Sequence, residues 1–395
     1  MRVVDRMDDA PIEVPRGLTN VVVTETELSD VRGHEGFFHY RQYSATDLAR
    51  YCSVEEVWHL LLDGELTSGP EGVWFDAAVR AASGTSEALA RELPSFARSA
   101  EEGDPVAVLR AALALDAAQR GRRPLYDLDP DARREAVIAV AAQFPTVTAA
   151  AWRLRNGQEP IRPRDDLGYA ANYLYMLNGA EPAQKVVDAL SSYLVATIDH
   201  GFNASTFTAR VIASTGAEAT ACFVGALGAL SGPLHGGAPS RALETLDAIG
   251  SPDDIDAWVT SRIAEGGRIM GFGHPVYRTD DPRSLLMKEV ALRFDSPRVR
   301  FAIEVEERVA VLLDRLKPGR HLHANVEWYA AIVMEICGIP PALFTSTFAC
   351  ARALGWAANI LEQTRDTKII RPSARYVGRP APERLPSEFL ARRRG

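Results

Sequence analysis

The chain has 395 residues, more than one hydrophobic core usually organises, so two subdomains are the first expectation. Hydrophobic residues make up 47% of it, enough for an ample core. The formal charge of −8 comes from 44 basic and 52 acidic residues without a basic stripe, which argues against nucleic acid or an anionic membrane as the main partner.

Four cysteines, Cys52, Cys222, Cys337 and Cys350, form no CxxC pair and sit mostly in apolar surroundings, as free thiols do in a reducing compartment. Residues 1–16 carry Asp5, Asp8, Asp9 and Glu13 and no apolar signal core, so a cytoplasmic location is expected. In chain order, short extended stretches are predicted at 20–25 and 37–40, followed by helix after helix. Ala-rich runs with Leu, Val and Arg at helical spacing occur at 73–82, 106–119, 132–143, 183–198 and 299–316. Pro94, Gly103-Asp104-Pro105, Asp129-Pro130, Gly157, Gly179 and Gly250-Ser251-Pro252 read as stops and starts, the last offering Ser251 as an N-cap ahead of Asp253 and Asp254.

Residues 219–240 contain no Asp, Glu, Lys or Arg and are about long enough to cross a bilayer. Gly225, Gly228, Ser231, Gly232 and Pro233 interrupt them, and Ala and Gly outnumber Leu and Ile, so a buried, closely packed helix followed by a loop is expected instead. No repeat of fixed period is present. Residues 378–395 mix Pro380, Pro382 and Pro386 with a closing Arg392-Arg393-Arg394 and are expected to lie over the surface or a neighbouring subunit. The fold class expected is all-α, with minor β structure near the N-terminus.

Two glycine-wrapped histidines suggest one site: His235 in Gly232-Pro233-Leu234-His235-Gly236-Gly237 and His274 in Gly271-Phe272-Gly273-His274-Pro275-Val276-Tyr277. Flanking glycines clear side chains away, so a ligand can approach main chain and imidazole together. If a helix begins just after Gly237, the positive end of its dipole disfavours imidazolium and keeps His235 neutral, able to polarise a carbonyl. A loop histidine bonded to backbone is the plainer alternative. His274, followed by Arg278, Asp281 and Arg283, sits where it could protonate an oxyanion beside bound carboxylates, although Arg278 to Arg283 also read as a solvated helix start.

Arg352 is the only charged side chain between Glu335 and Glu362. A guanidinium on so apolar a helix needs an anion, from an internal acid or from a substrate carboxylate bound bidentately. Glu327 follows Asn325-Val326, with Asn325 a reasonable N-cap, which puts the carboxylate in a helical first turn. First-turn acids commonly do no more than support the dipole. His321-Leu322-His323 invites a metal reading, but no HExxH spacing or adjoining Cys/His set supports one.

Taken in order, these motifs resemble the citrate synthase family. Asp199-His200-Gly201-Phe202-Asn203-Ala204-Ser205-Thr206 is similar to its DHxxNAST segment and Gly232 to Gly237 to its GPxHGG loop. Gly271-Phe272-Gly273-His274, Asp281-Pro282-Arg283, Asn325-Val326-Glu327, Arg352-Ala353-Leu354-Gly355-Trp356 and Arg371-Pro372 follow in the family's order, with Tyr40-Arg41-Gln42-Tyr43 and residues 60–66 resembling weaker upstream patterns. The likeness spans residues 17–378.

The resemblance implies a homodimer of mostly helical subunits in which a large domain, 1–236 and 343–395, and a smaller mobile one, 237–342, close over two substrates. It implies condensation of acetyl-CoA with oxaloacetate and water to citrate and CoA, with no metal. Carried over, Glu327 is the base toward the acetyl methyl, His235 the donor to the enol oxygen and His274 the acid toward the new alkoxide. His200, Arg283 and Arg352 match dicarboxylate holders, Arg371 is expected to reach in from the partner subunit, and Arg278 matches a contact to a CoA phosphate. The family usually has Asp where this chain has Glu327, which moves the carboxylate by roughly 1.5 Å unless the backbone compensates. Many members also carry Arg where Ser373 stands. A 2-methylcitrate synthase using propionyl-CoA and a non-catalytic binder of dicarboxylate or CoA are the alternatives.

Overall fold

A computed structural model describes residues 12–99, 104–233, 235–236, 238–273, 276–277, 279–317, 322–381, 386 and 389. The chain falls into two units: Thr26–Lys368, and a smaller one of Met1–Glu25 with Ile369–Gly395. The smaller unit holds a 3-10 turn, Arg16–Leu18, and an ion pair between Arg375 and Glu13. The extended stretch expected at 20–25 is no strand: Asn20 has φ +60°, and Val22 is 85% exposed, so its apolar run has no neighbour to pair with.

The larger unit opens with an antiparallel sheet, β1 (Ser29–Arg32), β2 (Phe37–Tyr40) and β3 (Tyr43–Ser44), in that order, with Ser29 opposite Tyr40 and His39 opposite Ser44. β2 lies at the expected place. β1 was not legible, because Ser-Asp-Val-Arg shows no apolar alternation and pairs only through its hairpin.

Helices follow: α1 (Ala45–Tyr51), α2 (Val54–Asp63), α3 (Pro70–Ala82), α4 (Glu87–Ser99), α5 (Pro105–Arg120), α6 (Pro130–Ala141), α7 (Phe144–Arg155), α8 (Tyr169–Asn178) and α9 (Gln184–Thr197). Beyond them come α10 (Ala204–Ala213), α11 (Ala219–Leu230), α12 (Ala238–Ile249), α13 (Ile255–Ala264), α14 (Pro282–Leu292), α15 (Pro297–Leu316), α16 (Val326–Ile336) and α17 (Phe344–Gln363). The all-α expectation holds, at 63% helix and 3% strand.

Capping explains the boundaries. Asp104 and Asp129 accept from backbone N–H groups ahead of the prolines that open α5 and α6, and Gly179 closes α8 at φ +78°. Pro94 does not punctuate: it lies inside α4, where Leu89, Leu93 and Ala97 bury one face and offset the lost backbone bond. Ser251 precedes only a 3-10 turn, Pro252–Asp254, and its hydroxyl donates to Asp254 Oδ2 (2.6 Å) instead of capping backbone.

The core runs around α17, 16 of whose residues are buried, which makes it a helix apolar on all sides and surrounded by α2, α6, α7, α9, α10 and α11. The uncharged stretch resolves as expected, α11 being a buried 12-residue helix that ends before a turn. One helical stretch of described residues, Pro130–Arg155, is long and apolar enough to cross a membrane, and most of it is buried in the core. Cys222, Cys337 and Cys350 are buried free thiols.

Candidate active site

His235 sits on the turn between α11 and α12. Gly236 closes that turn by donating to the Leu230 carbonyl (3.0 Å), and a Cβ on Gly236 would lie 2.4 Å from the same oxygen, so only glycine lets the chain fold back there. The imidazole Nε2 lies 2.9 Å from Ser205 Oγ and 3.4 Å from the Ser205 backbone nitrogen. The Ser205 hydroxyl has a second partner in Asn203 Oδ1 (2.8 Å), so the start of α10 fixes the ring. Burial, aided by the positive charge of Arg352, lowers the His235 pKa to about 4. The imidazole is therefore neutral at physiological pH, as expected from the sequence, though desolvation is the main cause.

Asp199 and His200 form the turn between α9 and α10. Tyr40 of β2 donates its hydroxyl to the carbonyls of Val195 (2.9 Å) and Asp199 (3.0 Å), and Ser29 of β1 donates to the buried Asp199 carboxylate. This explains structurally why Tyr40 belongs to an upstream motif. His200 Nε2 lies 2.9 Å from the Tyr277 hydroxyl, and its ring packs edge-on against Phe38.

Across from this turn, α17 carries Arg352 and, one turn later, Gly355. A Cβ on Gly355 would lie 2.2 Å from the Ile198 carbonyl oxygen, so the glycine lets α17 lie directly on the 197–199 backbone. Arg352 is 2% exposed, donates through Nε to the Thr197 carbonyl (3.0 Å) and stands 4.7 Å from the centroid of the Phe348 ring. Among the described residues no carboxylate forms an ion pair with it, and burial works against its charge. Buried Asp199 supplies the largest favourable charge it feels, without an ion-pair contact among the described residues.

Arg283 and Glu327 are brought together by Asp281, a residue given no role by the sequence reading. Asp281, 2% exposed, caps α14 by accepting from the Arg283 backbone (3.0 Å), grips the Arg283 guanidinium with both oxygens (3.0 and 2.8 Å), and accepts from the Val326 backbone (3.1 Å) at the start of α16. The sequence signal was an Asp-Pro helix start.

Asn325 caps α16 as expected, accepting from the Glu327 N–H (3.2 Å). Its own backbone N–H donates to Gly271 O (2.8 Å) and its side chain to Gly273 O (2.9 Å), so residues 271–273 run antiparallel to 323–325. Glu327 Oε2 is sealed from solvent with no hydrogen-bond partner among the described residues. Burial raises the Glu327 pKa against the opposing charges of Arg283 and Arg352. Tyr193 of α9, fully buried, feels both Glu327 and Arg352 and is a further neighbour the sequence did not single out.

His274 and Arg278 lie outside the described residues, as does His321. Arg371 is exposed on the smaller unit. His323 pairs with Asp280 (2.7 Å), and no three His, Cys, Asp or Glu among the described residues are placed to hold a metal.

Among the described residues the arrangement joins a neutral imidazole, a carboxylate with one buried oxygen lacking a hydrogen-bond partner, and a buried guanidinium with no ion-pair contact, the elements of carbonyl polarisation, proton abstraction and carboxylate binding. Residues 17–373 match the family model described as "Citrate synthase, C-terminal domain". The chain is 35% identical to the citrate synthase of Deinococcus radiodurans, covering 92% of this chain and 96% of that one. Against citrate synthase 2 of Bacillus subtilis it is again 35% identical, with 95% and 99% covered. Among solved structures, the citrate synthase of Thermotoga maritima superposes with a TM-score of 0.82 at 33% identity, covering 95% of this chain and 99% of that one. The ternary complex of Thermoplasma acidophilum citrate synthase with carboxymethyl coenzyme A and oxaloacetate does so with a TM-score of 0.86 at 28% identity and the same coverage. The match extends over nearly the whole length, and the chain belongs to the citrate synthase family of acyltransferase-type enzymes.

Proposed function

We propose that this enzyme condenses acetyl-CoA with oxaloacetate and water to give citrate and CoA. The observation that carries the reading is Arg352, a guanidinium 2% exposed that has no ion-pair partner among the described residues and lies close enough to Glu327 to act on its charge, one Glu327 oxygen likewise having no hydrogen-bond partner among them. A substrate carboxylate supplies the missing anion, and a substrate C–H supplies the missing proton.

In this mechanism Glu327 takes a proton from the thioester methyl while neutral His235 donates a ring N–H hydrogen bond to the thioester oxygen as it becomes enolic. The enol carbon attacks the ketone carbon of oxaloacetate, forming the new carbon–carbon bond. His274 protonates the resulting alkoxide, and water cleaves the citryl thioester to release CoA. His200, Arg283 and Arg352 hold the dicarboxylate, Arg371 of a second copy completes its binding in a homodimer, and Arg278 contacts CoA phosphate. The domains are 1–236 with 343–395, and 237–342, closing over both substrates to exclude water from the enol.

Thiol release from acetyl-CoA and propionyl-CoA, each with oxaloacetate, tests the reading on the wild-type chain and on Glu327→Gln. Faster release from acetyl-CoA, falling by roughly 10²- to 10⁴-fold in the variant, is expected. Preference for propionyl-CoA would instead make 2-methylcitrate the product, a difference of one methylene worth only about 1–3 kcal/mol of discrimination. No release with either thioester would leave the chain a binder of dicarboxylate or CoA.

A further inference from the structure

We propose that the tip of the β1–β2 hairpin is a seat for the segment carrying Val276, Tyr277, Thr279 and Asp280, and that Gly33 and Tyr277 are positioning residues for the dicarboxylate pocket. The seat is cut to fit. A Cβ on Gly33 would lie 2.3 Å from the Val276 carbonyl oxygen and 2.9 Å from Val276 Cγ1, far inside contact distance. The φ of Gly33 is not in the left-handed region, so the turn itself does not call for glycine there; the close approach of Val276 does. Three residues on, a Cβ on Gly36 would lie 2.8 Å from Thr279 Oγ1 and 3.3 Å from the Asp280 carbonyl oxygen.

Docking this segment aims one side chain. Tyr277 is 4% exposed and its hydroxyl stands 2.9 Å from His200 Nε2, with the two ring centroids 5.6 Å apart. On another side of the His200 ring lies Phe38 of β2, at 5.7 Å. The hairpin thus holds His200 directly through Phe38 and indirectly through the segment it seats. Arg283, gripped by Asp281, also packs against the same tyrosine, its Cζ 5.7 Å from the centroid of the Tyr277 ring. Two of the groups assigned to the dicarboxylate therefore depend on where one hairpin turn lets Tyr277 sit.

This rests on the proposed condensation, and the test separates the two. Gly33→Ala adds one methyl at the seat without straining its own backbone, and Tyr277→Phe keeps the ring while removing the hydroxyl. Each is expected to lower kcat/KM for oxaloacetate by about three- to tenfold or more, with less than about a twofold change in KM for the acyl thioester at saturating oxaloacetate. Ligand-free thermal stability should stay near wild type in Tyr277→Phe and fall modestly in Gly33→Ala as the seated segment shifts, while in both the oxaloacetate-induced rise in Tm shrinks by more than that fall. Because both changes act on one segment, the double variant should fall well short of the product of the singles. Unaltered oxaloacetate kinetics in Gly33→Ala, fully multiplicative effects, or losses that only track ligand-free stability would each overturn the proposal while leaving the condensation standing. If the wild type releases no thiol, the Tm response to oxaloacetate still reads the seat; no response in any variant or in wild type sinks both.

Discussion

Replacing Arg352 by Met separates what the buried guanidinium does for the fold from what it does for substrate. In the ligand-free protein the charge is 2% exposed, with one hydrogen bond to the Thr197 carbonyl and the Phe348 ring at 4.7 Å. A hydrogen bond from a charged donor contributes about 1.5–3 kcal/mol and a desolvated cation–π contact about 2. Against these stands a desolvation penalty of several kcal/mol with no ion pair to offset it. The terms nearly cancel, so Met, of similar length and fully apolar, should leave the ligand-free protein as stable or more stable by about 0–3 kcal/mol. Asp199 loses its nearest positive charge in the variant and takes up a proton more readily, its carboxyl already being raised by burial. With unfolding entropy near 2.1 cal/mol/K per residue over 395 residues, each kcal/mol moves Tm by only about 1.2 °C.

The substrate complex behaves oppositely. Removing one partner of a buried charge pair costs about 3–5 kcal/mol, or roughly 10² to 5 × 10³-fold in kcat/KM for oxaloacetate. Thermal scans with and without oxaloacetate, beside the thiol-release assay, read both effects. A variant that loses many degrees of ligand-free stability yet keeps its response to oxaloacetate would show that Arg352 serves the fold, and the reasoning from its missing counter-ion would fail.

Glu327→Gln should show the same opposition as a function of pH. The folded pKa of Glu327 lies above its unfolded value, so its contribution to stability is present below about 4.5 and is lost as pH rises through the folded value. The glutamine variant is therefore expected to be more stable than wild type at pH 8, with the two converging near pH 4; parallel Tm curves would refute the burial of this carboxylate. Gly355→Ala should destabilise by about 1–3 kcal/mol, since the new methyl falls 2.2 Å from the Ile198 carbonyl oxygen, and should raise KM for oxaloacetate by displacing the turn that holds His200. Unchanged stability in a thermal scan would mean that α17 has room the structure does not show.

Most helices were legible because their information is local. The runs at 73–82, 106–119, 132–143, 183–198 and 299–316 became α3, α5, α6, α9 and α15, with aspartate or serine caps on α5, α6 and α15 and opening prolines on those three and on α3. Where the outcome depended on a partner, local reading erred. Val21 to Val23 look like a strand and pair with none among the described residues, Ser29 to Arg32 do not look like one and are paired, and Pro94 is carried inside α4 by the burial of its neighbours.

The site divides in the same way. Its residue types, their order and the family they resemble are written along the chain, because histidines between glycines and a lone arginine in an apolar helix are unusual wherever they occur. What the sequence could not contain is the company these residues keep. Asp281 links the starts of α14 and α16 and so places Arg283 beside Glu327; Ser205 holds the His235 ring; Gly355 and Gly33 leave room for backbone that arrives from residues more than 150 and 240 positions away. Such contacts depend on distances between segments remote in sequence, and those distances exist only once the helices have packed. Sequence determined which groups are available for the chemistry, and the tertiary structure decided, for the described residues, how deeply each is buried and what it touches.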